Sequence, residues 1–145
     1  MDPKDFLVLA DKLVNNFQNE AAFRTSVSRS YYALHTFMSN FFLKEKFDIA
    51  KDEKRHKKIY YYLHNCGIEE IKDIASALDD LRHDRNRADY EMDTVCHKKN
   101  ARFAFIKASK AYEIFSRHIN NPTSKSELKT GIREYIKRTT NQKSI

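Results

Sequence analysis

An all-α fold, an up-and-down bundle of four to five main helices with one further helix at the C-terminus, is what this sequence predicts. Three observations carry the prediction. The 145 residues contain only two Gly and two Pro, too few turn formers for a fold built from many short strands. Apolar residues recur at three- and four-residue steps in most of the chain. Cap and stop signals fall where that periodicity starts and ends.

Each element can be justified in order. In "DPKDFLVLADKLVNNF", Asp2 is placed to cap, Pro3 suits the first helical position and Asp5 suits the first turn. The apolar stripe of this helix reads Phe6, Leu9, Ala10, Leu13 and Phe17. A longer second helix is expected from about Glu20 to Lys46, with Phe23, Val27, Tyr31, Leu34, Met38 and Phe41 on one face. Beside that face runs a polar stripe of Arg24, Ser28, Tyr32, His35 and Ser39, with Arg29 close by. Asp48 to Asp52 reads as a loop, and "KIYYYLHNCG" as a third helix ending at Gly67, a residue suited to a left-handed C-terminal position.

The fourth helix begins near Ile68 and carries Ile71, Ile74, Ala75, Leu78 and Leu81 into "LRHDRNRADY". Asp93 or Thr94 is expected to cap a fifth, with Ala101, Ala104, Phe105, Ala108, Tyr112, Phe115 and Ile119 apolar, stopped by "NNP" at Asn120 to Pro122. Ser124 and Glu127 have capping-box spacing for a last helix from Glu127 to about Arg138, followed by a frayed tail. The bundle is expected to occupy residues 1–121, with a basic helix and tail over 122–145.

Composition narrows the function classes. Net charge is +7, which favours polyanionic partners such as nucleic acid and is equally compatible with solubility alone. No apolar run approaches the ~20 residues of a membrane span, and "MDPKDF" is not a secretory leader, so a cytoplasmic protein with two free thiols is expected. His64 and Cys66 with Cys96 and His97 match no usual zinc-ligand spacing, and no Gly-rich phosphate loop is present. The adjacent carboxylates Glu69–Glu70 and Asp79–Asp80 read as helix-surface charge. Neither a metal nor a cofactor is expected.

The charged cluster of the fourth helix is the candidate site. Arg85 lies four residues after Leu81 and seven after Leu78, so it continues the buried stripe, and Asp89 is one turn further on. A charge in that place is costly to bury unless paired. Two readings stay open: an Arg85–Asp89 pair that closes the bundle or a subunit contact, or an arginine held in a groove for phosphate. Tyr32 and His35 are similarly open, as hydrogen-bonded core-edge residues or as part of that groove. The basic run "KDEKRHKK" opposes the dipole of the third helix, as solvated charge or as an anion contact.

"AAFRTSVSRSYYALHTFM" and "LRHDRNRADY", in this order, resemble the HEPN (higher eukaryotes and prokaryotes nucleotide-binding) family over roughly residues 5–120. The pattern A-x-x-R-x-A/S-I/V-S-R-A/S-Y-Y-A falls on Ala21 through Ala33, and L-x-x-x-R-x-x-A-D-Y on Leu81 through Tyr90. His56, after its basic neighbours, also has the place seen in small stand-alone members. The resemblance implies a HEPN-like helical bundle that forms a homodimer. It implies a metal-independent ribonuclease of a toxin or defence system, binding RNA or nucleotide and partnered by a nucleotidyltransferase antitoxin.

The family's catalytic signature is R-x4–6-H with a polar residue after the arginine. Arg85 and Asn86 match its start, while Tyr90, Glu91 and Met92 stand where the histidine is expected. Arg29 and His35 satisfy the string in the wrong helix. The implied site residues are therefore Arg85, Asn86 and Tyr90, supported by Arg29, Tyr32, His35, Asp89, Arg82 and His56. His35 or His56, from neighbouring helices, would restore an acid–base group, and Tyr90 is the candidate target for modification by the antitoxin. A non-catalytic module binding nucleotide, RNA or protein, and a purely structural interaction subunit, are the alternatives.

Overall fold

A computed structural model describes residues 1–143 and shows an all-α bundle of six helices in that range: α1 Lys4–Asn16, α2 Glu20–Lys44, α3 Glu53–His64, α4 Glu69–Tyr90, α5 Lys98–Asn120 and α6 Pro122–Lys143. Ser144 and Ile145 lie outside the described residues, so the expected frayed tail is testable only to Lys143, and to there it is helical. Among the described residues no helix is long and apolar enough to cross a membrane.

α2 is the central element and packs against α1, α4 and α5. Its contacts with α4 step in opposite directions: Arg24 meets Ala88, Ser28 meets Asp89 and Tyr31 meets Arg85. α4 and α5 are likewise antiparallel, with Glu70 against His118 and Asp80 against Lys107. Phe37 stacks on Tyr112 and Phe41 meets Phe115 edge-on, so α2 and α5 run the same way across the core. Leu34, Met38, Phe42, Leu78, Leu81 and Phe115 are fully buried in one continuous cluster, to which α6 adds Leu128 and Ile132.

Local chemistry explains the helix ends. Asp2 Oδ1 accepts the Lys4 N–H at 2.9 Å while Pro3 already has helical angles, so both act as the sequence predicts. α2 ends two residues earlier than expected. Lys46 adopts a left-handed φ of 64° and Phe47 N–H bonds back to Phe42 C=O at 2.9 Å, a turn that ties up the free carbonyls. Gly67 is left-handed after α3, with φ 86°. α5 is capped by His97 and Asn100 rather than by Asp93 or Thr94, because the segment before it is held by tertiary bonds: Thr94 C=O by Arg24, and Cys96 N–H by Glu20. α6 begins at Pro122 and not at Glu127. Asn121 Oδ1 accepts the Ser124 N–H at 3.0 Å, which displaces the Ser124–Glu127 capping box expected there.

The buried face of α1 also differs from the predicted stripe. Leu7, Ala10 and Val14 face the core, whereas Leu9 and Phe17 are exposed. Both sets have helical spacing, and the docking angle on α2 selects between them.

Candidate functional site

A cleft of about 520 Å³ opens where α2, α3 and α4 converge. Its walls carry Tyr31, Tyr32 and His35 from α2, His56 from α3, and Arg82, Arg85, Asn86 and Tyr90 from α4, with Asp52 and Glu53 at the mouth. Of the nine site residues expected from sequence, seven are therefore brought together. The other two are Arg29 and Asp89. Arg29 is sandwiched between the rings of Phe6 and Tyr32, its guanidinium carbon 5.2 and 5.0 Å from their centroids. Asp89 is turned towards Ser28, 3.5 Å from its hydroxyl, and reaches Arg85 only at 3.8 Å.

Arg85 lies against the aromatic wall, 5.3 Å from the Tyr31 ring centre and 5.4 Å from that of Tyr32. Its side chain is only 17% exposed, and Nε is buried with no hydrogen-bond partner. Cation–π contact stabilises the charge without using the N–H donors, of which Nη1 reaches Asp89 Oδ2 only at 3.8 Å. Arg82 stands one turn earlier, 3.7 Å from Asp79, and its Nε is also unpartnered. Tyr90 is at the rim and 72% exposed.

The imidazoles are placed differently. His56 is buried and bonded on both sides: Nδ1 is 2.9 Å from the Tyr31 hydroxyl and Nε2 is 3.3 Å from Asp79 Oδ1. Burial lowers its pKa, against the opposing pull of the Asp79 carboxylate. His35 lies nearly parallel to His56, with ring centres 6.2 Å apart. Burial, reinforced by His56, Arg55 and Arg85, lowers its pKa to about 4, so it is neutral at physiological pH. Burial also pushes the Tyr31 hydroxyl above its ordinary value, which keeps its proton on.

Two residues of this network escape the sequence reading. Tyr31 belongs to the apolar stripe of α2, and its ring is buried there, but its hydroxyl reaches α3. Asp79, assigned to helix-surface charge, instead receives His56, Arg82 and His83 together. A signal was present: Arg82 and His83 stand three and four residues after Asp79, on its own side of the helix. Glu70 is exposed helix-surface charge as expected, and there His118 bonds it at 2.9 Å.

Arg24, the first basic residue of the polar stripe, has a structural role. It donates to the carbonyls of Arg87 and Ala88 at the end of α4, at 3.2 and 2.8 Å, and to Thr94 C=O, while Glu20 braces it at 2.9 Å. Cys66 and Cys96 are both free thiols, and burial raises the pKa of each.

No family model, curated protein or solved structure matches the chain.

Proposed function

We propose that this chain is a HEPN-type, metal-independent endoribonuclease, acting as a homodimer in a toxin or defence system. The observation that carries the reading is Arg85: a nearly buried arginine, its Nε without a hydrogen-bond partner, on the wall of a cleft that also holds two histidines. A guanidinium fork there suits a phosphodiester, and a neutral imidazole suits the 2′-hydroxyl proton. His56 and His35 supply from α3 and α2 the imidazole that is missing after Arg85 in "LRHDRNRADY". Exposure of Tyr90 at the rim also suits modification by a nucleotidyltransferase antitoxin.

Purified protein should cut cellular RNA in the presence of a chelator and leave cyclic phosphate ends. Arg85→Ala should lower cleavage by roughly 10²- to 10³-fold with helicity retained. A folded dimer that leaves RNA intact would end this reading.

Two observations favour a second reading, a non-catalytic module. Both ring nitrogens of His56 are already occupied, and tyrosine stands at position 90. That reading predicts saturable RNA or nucleotide binding without turnover, weakened by Arg85→Ala.

A further inference from the structure

Tyr31, His56 and Asp79 come from three different helices and form one unbroken hydrogen-bonded chain at the cleft wall. A carboxylate can only accept, so Asp79 requires Nε2 of His56 to carry the proton. That leaves the Nδ1 lone pair for the Tyr31 hydroxyl, which must donate. Hydrogen bonding alone thus sets the direction of every link. Two further side chains flank the carboxylate, with Arg82 Nε at 3.7 Å and His83 Nε2 at 3.5 Å.

We infer that this chain is the proton path of the cleft, with Tyr31 passing the substrate proton to His56 and Asp79 acting as a positioning residue for the imidazole. The inference rests on the ribonuclease reading above and gives Tyr31, His56 and Asp79 roles in one proton path, Asp79 lying outside the two motifs on which that resemblance stands. In the step, the 2′-hydroxyl proton moves to the Tyr31 oxygen as the tyrosine's own proton moves to His56 Nδ1. The 2′ oxygen bonds to phosphorus while the bond from phosphorus to the 5′ oxygen breaks. The leaving 5′ oxygen takes a proton from water, and the imidazolium returns one to water.

The surroundings favour this traffic. The Arg85 guanidinium, 5.3 Å from the Tyr31 ring centre, stabilises negative charge that develops on the hydroxyl during transfer. Asp79 stabilises the imidazolium that results. The charged and titratable groups around His56 are Tyr31 and His35 on α2, Asp52 and Glu53 at the start of α3, and Asp79, Arg82 and His83 on α4, with Arg55 and Arg85 beside His35. Asp79 is the carboxylate bonded to the ring, so it favours the protonated form.

The test combines nitrogen NMR of His56 with cleavage of a defined RNA oligonucleotide between about pH 5 and 9. Wild-type protein should show Nε2 protonated and Nδ1 accepting, a result that needs no variant and no activity. Tyr31→Phe and His56→Gln should each lower kcat on the order of 10²- to 10⁴-fold, with the Kd for a non-cleavable RNA within about threefold of wild type. Asp79→Asn should move the acid limb of the pH profile to lower pH, because the carboxylate that raises the imidazole pKa is gone. A wild-type Nδ1–H tautomer, or an active enzyme whose kcat survives Tyr31→Phe, overturns the relay and leaves the ribonuclease reading standing. A wild-type protein that binds RNA without cutting it overturns both.

Discussion

Gly131 sits in mid-α6, where alanine is ordinarily better than glycine by about 1 kcal/mol. Gly131→Ala is nevertheless expected to destabilise this protein. A Cβ at position 131 would stand 2.0 Å from the Cys66 carbonyl oxygen and 3.0 Å from its carbon. The obstacle is backbone at the α3–α4 junction, so no side-chain rotation relieves it. α6 must move out by on the order of 1 Å, and an overpacked contact of this kind costs roughly 1–3 kcal/mol. If α6 instead lifts off, Leu128 and Ile132, both fully buried, return to water at about 1.5–3 kcal/mol each. Set against the gain in helix propensity, the net loss should be up to about 2 kcal/mol for a shifted helix and about 2–5 kcal/mol for a detached one. Urea unfolding followed by circular dichroism measures it, and hydrogen exchange of the α6 amides separates a shifted helix from a detached one. A variant as stable as wild type, with α6 equally protected, would refute the close approach of these two backbones.

Two further outcomes follow from the packing and the titrating groups. Arg24→Ala should cost about 2–4 kcal/mol in urea unfolding, because it strips the carbonyls at the end of α4 of their donors. Lysine should restore less than half, since it lacks the planar fork; a loss under about 0.5 kcal/mol would show that water replaces it. Acidification should also destabilise the fold. His35 has a folded pKa of about 4 against an ordinary 6.5, so the unfolded chain binds more protons between those values and stability falls as pH drops through them. At about pH 5 this amounts to about 2 kcal/mol, with His56 adding in the same direction. His35→Gln should flatten the dependence between about pH 7 and 5 by roughly that amount, and an unchanged slope would place the acid lability elsewhere.

Much of the bundle is legible in the chain because its causes are local. Helix period, the Asp2–Pro3 start and the left-handed Gly67 each depend on a few neighbouring residues. Boundaries fail where a distant partner intervenes. Thr94 is unavailable as a cap because Arg24, seventy residues earlier, takes its carbonyl. Leu9 and Phe17 have the spacing of a core stripe yet face outward, since the angle at which α1 meets α2 is not written in α1.

The candidate site divides along the same line. Sequence by itself determined that α4 would carry Arg85 along its buried stripe and that α2 would offer Tyr32 and His35 beside its own, because both follow from 100° per residue. Only the tertiary structure decided that Arg85 would leave Asp89 at 3.8 Å and lie against two tyrosine rings with its Nε unpaired. It alone decided that Asp79 would face His56 of α3 and that Tyr31 would close the chain. The physical reason is that a side chain's periodicity names its face of the helix, whereas its hydrogen-bond partner depends on which helix packs there and how far along it lies.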